Sequence, residues 1–225
     1  TIPNSKNIYS EHLRPQYHFT SKTGWLNDPN GLIWYKGEYH MFYQHNPTSL
    51  KHGNMTWGHA VSEDLIHWRE KPKVLFPEAT TGTCFSGAAF IDYKNQLERK
   101  TGEEEVLVLF YLRTNIGLCL AYSNDRGDTF TDFESNPVLT HEGARIDTPR
   151  PFWYEKTNCW IAPTYDFFTN KSGEPRRCVG FYSSNNLINW KFESRVEQDG
   201  WGDELCGCVD FFQLPLDDKQ EDQKW

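Results

Sequence analysis

Helical periodicity is almost absent from these 225 residues, and no long apolar run replaces it. No segment reaches the roughly 18 apolar residues of a membrane-spanning helix, so no membrane partner is expected. Basic charge is also in deficit: 23 Lys and Arg stand against 31 Asp and Glu, a net charge of −8. Nucleic acid and anionic lipid need a basic face, which excludes nucleic acid as a partner. Cysteine is scarce. The six (Cys84, Cys119, Cys159, Cys178, Cys206, Cys208) make no disulfide framework, and the Cys206–Cys208 spacing is not that of a zinc knuckle. No metal site and no organic cofactor is expected. The chain opens on Thr1 without Met or a signal-peptide pattern and closes on Trp225 after a polar run, so both ends read as cut.

Aromatic residues, by contrast, are plentiful: nine Trp, eleven Tyr and fifteen Phe. Stacking surfaces for sugar rings would account for them, and so would a β-rich core, because aromatics favour strands. Strand-like runs do dominate. They cover Gly31–Lys36, Tyr39–Gln44, Phe85–Tyr93, Val106–Arg113, Gly117–Ser123, Phe152–Tyr154, Trp160–Tyr165, Val179–Ser183 and Asp210–Leu214. Turn signals such as Lys36-Gly37 and Asn124-Asp125-Arg126-Gly127 separate them. Two triplets, Asn54-Met55-Thr56 and Asn170-Lys171-Ser172, fit the glycosylation sequon.

A repeat selects one architecture. Val61-Ser62-Glu63-Asp64 runs on to Trp68, Tyr122-Ser123-Asn124-Asp125 to Phe130, and Tyr182-Ser183-Ser184-Asn185 to Trp190. Each is a strand end, a serine, a polar turn and an aromatic. Taken at Ser62, Ser123 and Ser183, the intervals are 61 and 60 residues. Several strands per unit at a fixed period read as propeller blades, the aromatic opening each outermost strand. A second series gives Asp28 before one first strand, Phe85-Ser86-Gly87 at the next, then Asp147, then Asp210 opening a fourth. First strands line a propeller's channel, so these polar groups are expected to converge at one end of it. Three blades and the start of a fourth are predicted, within one partial domain over residues 1–225.

The most specific motif is Trp25-Leu26-Asn27-Asp28-Pro29-Asn30-Gly31, followed by Met41-Phe42-Tyr43-Gln44-His45-Asn46-Pro47 and Trp57-Gly58-His59-Ala60. Together with Cys84-Phe85-Ser86-Gly87, Leu118–Ser123 and Pro151-Phe152-Trp153-Tyr154, these segments resemble glycoside hydrolase family 32, the invertases, inulinases and levanases. The resemblance runs along the whole chain. It implies an all-β, five-bladed β-propeller, normally followed by a β-sandwich, and retaining hydrolysis of β-fructofuranosides. A small or polymeric carbohydrate is the expected partner, and a secreted or periplasmic location is expected, with a cytoplasmic one as the alternative. Retention needs two carboxyl groups about 5–5.5 Å apart, one attacking the anomeric carbon and one protonating the leaving oxygen. Asp28 matches the family's nucleophile. Trp25, Asn27, Gln44, Trp57, Phe85 and Ser86 match substrate contacts, with Trp25 and Trp57 as apolar walls.

Two further family motifs are disturbed. The transition-state stabiliser sits in an Arg-Asp-Pro motif, where this chain has Arg145-Ile146-Asp147-Thr148-Pro149. Single-residue insertions recover Arg145 as a substrate contact and Asp147 as the stabiliser. An ungapped match from Phe152 puts Asp147 and Thr148 at those two places instead. The acid/base motif is Glu-Cys-Pro-Asp, where this chain reads Glu204-Leu205-Cys206-Gly207-Cys208-Val209-Asp210. Insertions recover Glu204 as the general acid, whereas the ungapped match from Asp210 places Gly207 there. Three readings follow: an active fructosidase using Asp28, Asp147 and Glu204, a non-catalytic carbohydrate-binding propeller, or a related propeller glycosidase acting on pentose polymers.

Overall fold

The computed structural model describes residues 8–140, 144–197, 207–216 and 219–225, the side chains of 144, 145 and 219–223 excepted. Three antiparallel meanders follow one another. The first blade is β1 (Trp25–Tyr35), β2 (Glu38–Asn46), β3 (Thr56–Ser62) and β4 (Arg69–Leu75). The second is β5 (Cys84–Asp92), β6 (Val106–Arg113), β7 (Gly117–Ser123) and β8 (Thr131–Asp132). In the third, β9 (Ala144–Asp147) and β10 (Phe152–Tyr154) share the inner edge of β11 (Cys159–Thr169), followed by β12 (Pro175–Ser184) and β13 (Lys191–Val196). A hairpin of β14 (Leu214–Leu216) and β15 (Lys219–Lys224) comes last. The strand expected from Asp210 therefore begins at Leu214, and Asp210 precedes it.

Blade 2 shows why the sheets stand face to face. All eight residues of β6 are buried, and strand alternation sends them to two different cores. Val106, Val108, Phe110 and Leu112 join Trp160, Tyr182 and Leu187 of blade 3. Leu107, Leu109 and Tyr111 join Phe42, Trp57 and Leu75 of blade 1. Each fully buried Leu or Phe contributes about 1.5–3 kcal/mol, so both interfaces are dominated by apolar burial. The flanking strand β7 splits the same way, with Leu118 and Leu120 on one side and Cys119 and Ala121 on the other.

The repeated turn is a side-chain-capped loop. Ser62 Oγ accepts from the N–H of Asp64 and Leu65, while Asp64 Oδ1 accepts from the N–H of Ile66 and His67. Ser123 and Asp125 repeat this in blade 2. In blade 3 the pair is Ser184 and Asn186, not Ser183, which instead bonds Glu193. The structural period is thus 61 residues at both steps. Trp68 and Trp190 close their turns by donating Nε1–H to the carbonyls of Leu65 and Leu187, both at φ +65°.

Candidate active site on the first strands of adjacent blades

The sequence places β1 from Gly31, because Asn-Asp-Pro-Asn reads as a turn. The strand in fact starts at Trp25 and takes in the whole motif. A break in register between Leu26 and Pro29 absorbs Asn27 and Asp28 as a bulge, which also accommodates a proline that cannot donate to the ladder. Bulges re-aim side chains, and Asp28 is exposed here. The first strand of blade 2 does the same: β5 slips register between Cys84 and Gly87, and Ser86 lies in the slip. Gly87 permits it, since a Cβ there would lie 2.0 Å from the carbonyl oxygen of Phe110. The two irregularities meet. Ser86 Oγ donates to Asp28 Oδ2 at 2.9 Å, across 58 residues of sequence.

Residues of β1 and β2 flank this pair. Trp25 Nε1–H donates to Asn27 Oδ1 at 2.6 Å, and the Trp25 carbonyl is bonded by His45 Nδ1 at 2.8 Å. Gln44 is 2 % exposed on β2, and its Nε2 has no hydrogen-bond partner among the described residues. Trp57 departs from expectation. It is 0 % exposed, lies among Phe42 and Tyr111, and donates Nε1–H to the Phe85 carbonyl at 3.1 Å. It offers a sugar no surface, and it acts by fixing the main chain that carries Phe85 and Ser86.

Two residues at this site escaped the sequence reading. Asn30 is buried, with an Nδ2 that lacks a partner among the described residues. Its place inside the leading motif was the available signal. His52, exposed on the β2–β3 loop, stands edge-on to both Trp25 and Phe85, at 6.2 Å from each ring. Asn46 holds that loop through Thr48 and the Lys51 carbonyl. Nothing in the local sequence marks His52, because its two ring partners lie 27 and 33 residues away.

On blade 3, Asp147 ends β9 opposite Tyr165 and is 9 % exposed. Its Oδ1 accepts from the N–H of Thr148 at 2.8 Å. Thr148 has φ +45°, a conformation that costs a β-branched residue about 1–3 kcal/mol. Its Oγ1 accepts from the N–H of Cys208 at 2.8 Å, and Arg150 pairs with Asp210 at 3.2 Å. Segment 207–210 is therefore fastened to segment 148–150 at two points. A Cβ on Gly207 would face Thr148 Oγ1 at 3.6 Å, an ordinary contact. Glu204 and the Arg145 side chain lie outside the described residues.

The model of the glycosyl hydrolases family 32 N-terminal domain matches residues 18–225. The chain belongs to that family. Levanase from Bacillus subtilis is 41 % identical over 222 residues, covering 96 % of this chain and 31 % of the levanase. Invertase 1 from Saccharomyces cerevisiae is 32 % identical, covering 94 % and 40 %. Among solved structures, a β-fructofuranosidase from Schwanniomyces occidentalis complexed with fructosyl-erythritol superposes with a TM-score of 0.80. It is 29 % identical and covers 100 % of this chain and 44 % of its own. The chain thus spans well under half the length of the relatives it matches. The family 32 domain is a five-bladed β-propeller, to which the meanders contribute three blades and the β14–β15 hairpin the start of a fourth.

Proposed function

We propose that the protein carrying this chain hydrolyses β-fructofuranosidic bonds of sucrose or fructans with retention, using Asp28 as nucleophile. The Asp28–Ser86 contact is the observation that carries this reading. One carboxylate oxygen is oriented by the serine hydroxyl, which leaves the other for attack. Asp28 attacks the anomeric carbon as the bond to the leaving sugar breaks, and the departing oxygen takes a proton from the general acid. Water then attacks the fructosyl ester, giving its proton back to that acid and releasing Asp28. Gln44 and Asn30 bring buried amide donors that lack partners among the described residues, and sugar hydroxyls accepting from them would offset about 1–3 kcal/mol of desolvation each. Trp25, Phe85 and His52 form the rim, Asn27 is held by Trp25, and Arg145 and Asp147 serve the stabilising function from blade 3. A carbohydrate partner and secretion belong to the same proposal, in keeping with an extracellular exo-inulinase among the relatives.

The general acid divides two readings. Glu204 fills the role in the first. The second is a catalytically impaired carbohydrate-binding propeller, and one observation favours it. Thr148 and Gly207 face each other at the two places where an ungapped match puts the stabilising Asp and the acid Glu. Fructose and glucose release from sucrose and inulin separates them. Under the first reading Glu204→Ala lowers release by about 10²–10⁴-fold, and Gly207→Glu brings no gain. Under the second the native protein releases little, Glu204→Ala changes nothing, and Gly207→Glu raises turnover.

A further inference from the structure

Before entering β1, the chain crosses the outer part of blade 1 and leaves a groove against the β3–β4 turn. Phe19 anchors it, its ring 5.0 Å from Tyr43 and 6.1 Å from Trp68. Arg14 ties the segment together. Its guanidinium bonds both carboxylate oxygens of Glu11, Thr20 Oγ1 and the Ser21 carbonyl, and lies 5.1 Å over the Tyr9 ring. Glu70 adds a clasp by accepting from the N–H of Lys22 at 2.7 Å.

What this scaffold holds open is a cavity of about 270 Å³. Tyr17, Phe19, Ile66 and Trp68 supply apolar walls, and Gln16 and His18 supply hydrogen-bonding groups. Tyr17 is 91 % exposed and Ile66 70 %, so neither contributes burial to the core. The strongest charge nearby is already spent: Arg14 is paired with Glu11, whose carboxyl it holds at about 2. Ring faces beside hydrogen-bonding groups, with Arg14 of the lining paired to Glu11 and His67 to Asp64, match a neutral polyhydroxylated ring better than an anion, a cation or a lipid chain. The position is separate from Asp28. Asp28 lies on β1, while Ile66 and Trp68 lie where β4 begins, three strand spacings or about 14 Å across the sheet.

We propose that this groove is a second carbohydrate-binding site, holding one stretch of a fructan chain away from the bond being cleaved. The inference rests on the fructan reading above. A polymer reaches both places and sucrose reaches one, so the two substrates separate the site from the catalysis. Tyr17→Ala and Ile66→Ala are each expected to raise KM for inulin and levan about five- to tenfold, the loss of one sugar-stacking contact. Sucrose turnover stays unchanged, and Tyr17→Phe, which keeps the ring, retains native polymer kinetics. Retardation of the protein in a levan-containing native gel gives the same comparison without turnover. Native polymer KM and native retardation in both alanine variants would overturn the proposal. So would an equal loss on sucrose, which would assign Tyr17 to the fold or to the Asp28 pocket. If the native protein cleaves neither substrate, the hydrolase reading fails and the gel alone decides the groove.

Discussion

Asp28→Ala is expected to lower fructose release from sucrose by about 10⁴–10⁶-fold, the scale on which loss of a covalent nucleophile is felt. The size follows from the chemistry. Without the carboxylate, no fructosyl ester forms, and a single displacement by water finds no base on the correct face. Folding should survive, because Asp28 is exposed on its bulge and its one described hydrogen bond is to Ser86. Azide supplied to the variant should restore part of the turnover and give fructosyl azide, since the alanine leaves room for a small anion where the carboxylate stood. Release by Asp28→Ala within tenfold of native would remove Asp28 from the reaction. Ser86→Ala is a milder companion: the nucleophile remains but loses its orienting donor, so a fall of about tenfold is expected in the same assay.

The second large effect concerns acid. His40 and His59 lie buried between blades 1 and 2, with His40 Nδ1 and His59 Nε2 3.0 Å apart. Their rings stack, and His59 stacks in turn on Phe42 at 4.3 Å. Burial pushes His40 down to about 4 and His59 well below its usual value, the neighbouring His40 adding to the latter. Lys71 from β4 faces both and disfavours a further positive charge. Arg69 adds to this at His59, while Glu38 and Asp128 oppose it at His40.

The unfolded chain takes up protons near pH 6.5 and the folded one only near pH 4 or below. Stability is therefore fully present above pH 6.5 and is lost as the pH falls from there to about 4. The loss is on the order of 2 kcal/mol. Carboxylates such as Glu11 and Glu104, held at about 2 by ion pairs, release their share in a lower window. Urea unfolding at pH 7.0 and 4.5 should show the drop in native protein, and His59→Gln should flatten it over that interval alone. An unchanged pH slope in the variant would mean that His59 takes up its proton equally in the folded and unfolded states.

Much of the fold was legible because the propeller writes it twice. The bounds of β6 and β7 coincide with the predicted Val106–Arg113 and Gly117–Ser123. Continuous burial between two blades makes unbroken apolar runs with polar turns at both ends. Trp57 was misplaced for the opposite reason: a Trp in a sugar-binding motif and a Trp in a core share one composition, and only packing distinguishes them. The start of β1 was hidden by residues whose local preference is a turn, and bulge geometry overrode that preference. Ser183 and Ser184 differ by one position, which local sequence does not resolve but hydrogen bonding does. His52 and the Thr148–Cys208 fastening rest on contacts between distant segments, and no window of sequence contains both partners.

The double-sided burial of β6 bears on synthesis as well as on the finished molecule. A strand that needs covers from both directions leaves the ribosome with only the earlier cover made. Trp190, which stacks on Phe110, follows roughly 80 residues later, about 4–15 s at ordinary elongation rates. Throughout that interval Val106–Leu112 is a β-prone, uncharged stretch of the kind that recruits other nascent chains. Its flanks carry the remedy: Glu103, Glu104 and Glu105 precede it and Arg113 ends it, charges placed where they penalise intermolecular stacking. Neutralising Glu103, which stands exposed ahead of the ion-paired Glu104 and Glu105, would leave the folded blades nearly untouched and show itself first as nascent protein lost to aggregates.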